Sequence, residues 1–117
     1  HKECEMSKPS KQVVLTTTIK TTGKVVSNRF VGHSGKQAAA DEKVYGVAPY
    51  DADSGDTLAV DILGIAVVEA GGVLAVGDDV SADAQGCAVK TAGGKVAGTA
   101  RTAAAAAGDL IQVFLKG

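Results

Sequence analysis

The sequence predicts an all-β fold, a small barrel-like or sandwich domain with at most one short helix. Short apolar runs rich in β-branched residues alternate with turn clusters at the spacing of an all-β domain. Fifteen glycines separate these runs and suit turns and positive backbone φ. At 117 residues the chain has room for one domain. Aromatic residues make up only 3% of the chain, so small side chains must build the core, which favours help from neighbouring subunits.

Nine segments carry the signals of regular structure beyond the N-terminal region. The predicted strands are Arg29–His33, Val44–Ala48, Thr57–Leu63, Ile65–Glu69, Asp79–Ala82, Cys87–Lys90, Val96–Ala100 and Leu110–Leu115. The one predicted helix is Thr102–Ala107, where a Thr cap precedes five alanines and Gly108 follows. A segment this short gives one or two turns at most.

Residues 1–22 are predicted to form an extended N-terminal arm, and residues 23–117 the β domain. Lys11–Thr22 alternates with the two-residue period of a half-buried strand. One predicted face carries Val13, Leu15 and Ile19, and the other carries Gln12, Thr16, Thr18 and Lys20. Two interpretations remain open: an ordinary first strand of the domain's own sheet, or a projecting strand that completes a partner's sheet. His1–Glu5 precede the only methionine, Met6, and are interpreted as upstream or expression-derived sequence.

Charge is unevenly distributed along the chain. Residues 1–36 carry seven Lys/Arg against two Glu, a net of +5, whereas residues 37–117 carry five against eleven, a net of −6. The basic end is either a solvated tail or an arm that docks on an acidic surface. The acidic body lacks the basic face and stacking aromatics that nucleic-acid binding requires.

The chain also repeats itself with a period of about 52 residues, which predicts an internal two-fold duplication. Lys43–Ala48 aligns with Lys95–Ala100, and Gly55-Asp56 aligns with Gly108-Asp109. In that register the inward residues Leu58, Val60 and Ile62 correspond to Ile111, Val113 and Leu115. The repeat predicts two similar β units packed into one core.

The sequence predicts no catalytic, metal or cofactor site. His33 is interpreted as a surface turn residue, and Cys4 and Cys87 as free thiols. Asp51, Asp53 and Asp56 fail as a calcium loop, because the EF-hand pattern requires Gly at its sixth position and Glu at its twelfth. The longest weakly charged stretch, Ile62–Gly77, is interrupted by Glu69 and too short for a membrane helix.

Three stretches, in their order and spacing, resemble the capsid cement, or head decoration, family of tailed bacteriophages. They are Ile62–Lys90, Val44–Ala48, and the Ala-rich turn through Gly108-Asp109 into the strand Leu110–Leu115. The resemblance covers about Lys11 to Leu115, nearly the whole chain.

The resemblance implies a non-enzymatic virion protein, made in the host cytoplasm, that sits on the outer surface of an expanded capsid. It implies a homotrimer that braces the major capsid protein against internal DNA pressure, without contact with nucleic acid or membrane. The arm then becomes the predicted capsid-binding strand. Its predicted contact residues are Val13, Val14, Leu15, Thr16, Thr17, Thr18 and Ile19.

Two alternatives stay open. Ala70–Val80 also resembles the turn and strand sequence of lipoyl and biotinyl carrier domains. Those domains carry a modified lysine with characteristic flanking residues, which neither Lys43 nor Lys90 has. A receptor-binding or fibre-binding module on the virion surface is the second alternative.

Overall fold

The fold is described from a computed structural model covering residues 11–40, 42–91 and 95–115. It is an antiparallel, nearly closed barrel-shaped sheet, and the all-β prediction is confirmed. The eight strands are β1 (Gln12–Lys20), β2 (Phe30–Gly32), β3 (Val44–Val47), β4 (Thr57–Glu69), β5 (Asp79–Ala82), β6 (Ala88–Lys90), β7 (Gly98–Ala100) and β8 (Leu110–Leu115). Their order in the sheet is β2-β3-β4-β8-β7-β5-β6, with β1 paired to β4 outside this path.

The ends of the sheet approach each other at the β5–β6 turn. The Phe30 amide donates to the Gly86 carbonyl at 2.8 Å. Arg29 donates to the Gln85 carbonyl at 3.0 Å and forms an ion pair with Glu69 at 3.1 Å, so one side chain connects β4 to this turn. These contacts join the first β-hairpin to the second half of the chain and bring the sheet close to a barrel.

One long strand replaces the two predicted strands Thr57–Leu63 and Ile65–Glu69. Gly64 lies between them with φ +105° and allows β4 to continue without a break. A side chain at this position would also collide with the Gln12 carbonyl and the Val14 amide of β1. Glycine is therefore required both by its backbone conformation and by the close approach of β1.

The segment Thr102–Ala107 is not helical, so the predicted helix is wrong. Ala104 instead exchanges two backbone hydrogen bonds of 3.0 Å with Leu74. The Asp109 carboxylate accepts from the amides of Ala105 and Ala106 at 2.8 and 3.3 Å. Six residues are too few to offset the cost of starting a helix, so the Leu74 carbonyl and the Asp109 carboxylate accept from these amides instead.

The predicted duplication is visible in the hydrogen bonds. A first unit, residues 12–62, comprises β1, β2, β3 and the start of β4, and a second unit, residues 64–115, comprises the rest of β4 and β5–β8. Val25 and Ala52 exchange backbone bonds of 2.8 and 2.9 Å, as Leu74 and Ala104 do in the second unit.

The turns before β4 and β8 repeat in the same way. In the first unit the amides of Thr21 and Gly55 donate to the carbonyls of Asp56 and Thr21, both at 2.9 Å. In the second unit Ala70, Gly108 and Asp109 make the equivalent bonds at 2.7 and 2.8 Å. Gly55 and Gly108 both have positive φ, at +90° and +96°. The two units therefore have a similar arrangement of strands, turns and backbone hydrogen bonds. In this arrangement β1 of the first unit corresponds to the second half of β4, which belongs to the second unit.

The core consists of two clusters, one centred on each unit. Leu58 and Val60 lie in the smaller cluster, and Ile111, Val113 and Leu115 lie in the larger one. These are residues that the repeat predicted to face inward. The largest fully buried side chain is Phe30, which packs in the larger cluster although it belongs to the first unit. Ala38 and Val47 of the first unit pack in the same larger cluster, so side chains of the first unit join the core of the second.

Candidate functional site

The predicted arm forms strand β1 at an edge of the sheet. Within the part of the chain that the structure describes, β1 pairs with β4 and with no other strand. One edge of β1 is therefore paired with β4 from Gln12 to Lys20, with two irregularities, and no described strand pairs with its other edge. Residues 1–10 of the predicted arm lie outside the described residues. An open edge of nine residues is a template for addition of a partner's strand.

The side chains of β1 are more exposed than the alternation predicted. Val13, Thr17 and Ile19 are half-buried, whereas Val14, Thr16, Thr18 and Leu15 are exposed. The exposed fraction is 74% for Val14 and 47% for Leu15. The predicted face of Val13, Leu15 and Ile19 is wrong at Leu15, because the register shifts between Val13 and Leu15 and again between Leu15 and Thr16.

A buried carboxylate holds the middle of β1 on β4. Asp61 is 3% exposed. Its Oδ2 accepts from Lys11 Nζ at 3.0 Å, and its Oδ1 accepts from the Thr16 hydroxyl at 3.0 Å. Both donors belong to the predicted arm, so the charge of Asp61 is satisfied only while β1 is in place. The pair borders an open groove of about 280 Å³ that is also lined by Asn28, Val47, Pro49, Val67 and Leu110.

The other end of β1 is joined to the first unit's core. The hydroxyls of Thr17 and Tyr45 are hydrogen-bonded at 2.6 Å, and Ile19 packs against the smaller core cluster. The His33 ring meets the Tyr45 ring edge to face, with centroids 5.1 Å apart. His33 is exposed in a turn, as predicted.

An apolar surface on β4 and β8 was not predicted. We call it the β4/β8 face; it consists of Ile65, Val67, Leu110, Gln112 and Phe114, opposite the inward side chains of the same strands. Ile65 lies directly across from Phe114, and Phe114 is 46% exposed. The sequence does contain a signal for this face. Ile62–Val68 is apolar on both faces, whereas a strand with one face in solvent alternates apolar and polar residues.

The acidic loop residues act as caps for turns. Asp56 Oδ2 accepts from the Asp53 amide at 2.8 Å, and Asp51 Oδ1 accepts from the Ser27 amide at 2.7 Å. No group of three or more His, Cys, Asp and Glu side chains is arranged to hold a metal ion within residues 11–40, 42–91 and 95–115. The same part of the chain has no helix long and apolar enough to cross a membrane.

Cys87 is a buried free thiol, and Cys4 lies outside the described residues. Burial raises the pKa of the Cys87 thiol, the carboxylates of Asp83 and Glu69 raise it further, and Arg29 opposes them. At neutral pH the group is therefore a neutral thiol, which is a poor nucleophile.

The two lysines considered for a carrier domain are poorly placed for that role. Lys90 is the last residue of β6 and lies opposite Val80, at the far end of the hairpin from its turn. Lys43 precedes β3 on an exposed loop. Neither lysine is presented at a tight hairpin tip.

An open strand edge and an exposed apolar face are features typical of surfaces that bind other proteins. This chain belongs to the phage cement protein family, which it matches over residues 9–115. The resemblance drawn from the sequence is thus confirmed. The chain is a non-enzymatic structural protein of the phage virion, located on the capsid.

Among solved structures, the chain is similar to the N base of the head fiber of bacteriophage phi29. The identity is 27% and the TM-score 0.72, over 87% of this chain and 93% of the other. No curated protein matches the chain significantly.

Proposed function

We propose that this protein binds the outer surface of an expanded phage capsid and stabilises it, with the open edge of β1 pairing with a strand of the major capsid protein. The observation that carries the proposal is the position of β1, which, within the described residues, pairs with its own domain along one edge only. Main-chain hydrogen bonds provide the adhesion, and the exposed side chains provide the fit. A protein that binds the expanded shell better than other states stabilises that shell by mass action.

The side chains of β1 support this choice of contact. Val14 and Leu15 are exposed apolar residues on an edge strand, where proteins usually place charges or prolines to prevent unwanted pairing. The basic character of the first 36 residues adds attraction to an acidic partner surface. An edge with apolar side chains and flanking lysines is suited to a specific partner strand.

Val14→Asp is expected to weaken binding to expanded capsids at least tenfold, about 1.4 kcal/mol, because it places an unpaired carboxylate in the contact. Val14 is 74% exposed, so the fold itself should tolerate the change. Co-sedimentation of purified protein with empty expanded capsids measures the effect.

Val73→Asp is the matched control, because Val73 is also 74% exposed but lies in the loop between β4 and β5. It should bind like the unaltered protein. Equal binding by the two variants would refute β1 as the capsid contact.

We further propose that the protein assembles as a homotrimer through the β4/β8 face. The face exposes Phe114 and Leu110, and Glu69, which lies opposite Leu110 at its border, is already ion-paired with Arg29. A charged partner surface would be left unpaired there, whereas the same face of two further copies, meeting around a three-fold axis, is apolar and complements it. Three β1 strands held by one rigid trimer would bind a capsid more tightly than one strand, by about 10²–10⁴.

A second candidate function is a base that carries a fibre on the capsid. The similarity to the phi29 head fiber N base favours it. In that case, electron microscopy of virions would show a fibre extending outward from the position of this domain. Bare knobs of density would support the cement function alone.

A further inference from the structure

The alternation of hydrogen bonds along β1 determines which of its main-chain groups bind β4. Thr21 directly follows β1 and continues its register, because the Thr21 amide donates to the Asp56 carbonyl at 2.9 Å. In an antiparallel pair of strands, hydrogen-bonded residues alternate with residues that are not hydrogen-bonded across the pair. Counting back from Thr21, the main-chain groups of Ile19 and Thr17 are therefore the ones that bind β4.

Two contacts on the far side of β4 support this alternation. The Ala59 amide donates to the Tyr50 hydroxyl at 3.0 Å. The Asp61 carbonyl oxygen faces β3, 2.5 Å from the position that a Cβ on Gly46 would take. Ala59 and Asp61 therefore direct main-chain groups away from β1, as residues of non-hydrogen-bonded pairs do.

Thr18 and Thr16 are the β1 partners of these two residues, and Lys20 has the same phase. Their main-chain groups point to the open edge, where no described residue is hydrogen-bonded to them. A turn closes the edge beyond Lys20, because the Thr22 amide donates to the Gly35 carbonyl at 2.9 Å. A Cβ on Gly35 would lie 2.7 Å from the Lys20 carbonyl oxygen. The accessible groups are thus the amides of Thr16, Thr18 and Lys20 and the carbonyls of Thr16 and Thr18.

The duplication shows that this edge can bind another main chain. Thr21 of the first unit corresponds to Ala70 of the second, so Lys20 corresponds to Glu69. The Glu69 amide donates to the Asn28 carbonyl at 2.8 Å. A segment of the first unit therefore occupies this edge in the second unit, whereas no described residue accepts from the equivalent amide of Lys20.

We infer that Thr16–Lys20 is the docking segment of β1, and that a partner strand of similar length pairs with it through the main chain. This inference rests on the proposed function, in which the partner is a strand of the major capsid protein, and it names the groups that form the hydrogen bonds. Binding then depends on the amide of Thr18 and not on its hydroxyl.

Hydrogen exchange of the full chain, followed by NMR, tests the assignment of these groups without a capsid. The amides of Thr17 and Ile19 should exchange at least about tenfold more slowly than those of Thr16 and Thr18, because only Thr17 and Ile19 donate to β4. Equal exchange rates for the two sets would refute the docking segment.

Proline substitution tests the same assignment through stability. Thr18→Pro replaces an amide that has no partner in the domain, a position where edge strands accept proline, so its Tm should fall by no more than about 3 °C. Thr17→Pro should have a Tm about 10 °C or more below that of Thr17→Val, because both lose the hydroxyl bond to Tyr45 but only the proline breaks a bond to β4. Equal losses of Tm in Thr18→Pro and Thr17→Pro would contradict the assignment.

Co-sedimentation with empty expanded capsids tests the docking itself. Thr18→Pro should bind at least about tenfold more weakly, because it removes a main-chain donor and places a ring against the partner strand. Thr18→Val is the matched control, since it keeps the amide and loses only the hydroxyl. Its binding should stay within about twofold of the unaltered protein. Equal weakening by Thr18→Val and Thr18→Pro would refute docking through the main chain.

The inference and the proposed function can fail separately. If Thr18→Pro binds normally and Val14→Asp binds weakly, docking at Thr16–Lys20 is refuted and β1 remains the contact through its side chains. If both variants bind normally, the β1 contact itself is refuted. If both bind weakly and Thr18→Val binds normally, both ideas are supported.

Discussion

Gly46→Val and Gly98→Val are each expected to lower the free energy of unfolding by about 2–3 kcal/mol, because a side chain at either position overpacks the sheet. A Cβ on Gly46 would lie 2.5 Å from the Asp61 carbonyl oxygen. A Cβ on Gly98 would collide with the equivalent carbonyl oxygen, that of Phe114. Neither obstacle is a flexible side chain that could move aside.

Thermal or chemical unfolding measures the effect, and a fall of about 10 °C in Tm is expected for each variant. Gly72→Ala is the control, since a Cβ there meets no atom within 4 Å. Similar losses of stability in Gly46→Val and Gly98→Val would reflect the equivalent positions of these glycines in the two units. Gly46→Val unfolding at the same temperature as Gly72→Ala would contradict this account of the packing.

Phe114→Asp is expected to convert the proposed trimer into monomers. A central aromatic residue in an interface typically contributes about 2 kcal/mol or more, which is more than tenfold in each contact. Phe114 is 46% exposed in the single chain, so the variant should still fold. Light scattering of the purified protein reports the mass directly.

Val76→Asp serves as the control for assembly, because Val76 is an exposed valine in the loop between β4 and β5. It should remain trimeric. Two outcomes would refute the proposed assembly: a trimer that survives Phe114→Asp, or an unaltered chain that is monomeric at every concentration.

Much of the fold could be predicted because local pattern and tertiary structure agree. The apolar runs at 44–48, 79–82 and 110–115 became strands within one residue of their predicted ends. The alignment of Gly46 with Gly98 anticipated two positions where strands approach too closely for any side chain. The period of the apolar residues and the positions of the glycines can be read directly from the sequence, and the strands that they predict are the ones found in the fold.

The failures share one cause, namely partners that are distant in sequence. Thr102–Ala107 has local helix signals, but the carbonyl of Leu74, in a distant loop, accepts from the Ala104 amide. The exposure of Leu15 depends on irregular pairing with β4, which alternation alone does not encode. Tertiary context overrides propensity in both cases.

The candidate site was predicted only in part. The pattern of Lys11–Thr22 predicted an extended segment, and the strand is observed over Gln12–Lys20. The burial of Asp61 was not predicted, since an aspartate in an apolar run gives no indication of a lysine 50 residues earlier. The β4/β8 face was missed because both faces of β4 are apolar, and one sequence does not tell which face is covered.

Electron cryomicroscopy of expanded capsids saturated with this protein tests adhesion by β1 most directly. The expected map has three-fold density on the outer shell, in which β1 is the nearest element to the major capsid protein and extends one of its sheets. A map with no added density outside the shell, or with another strand at the contact, would contradict that account.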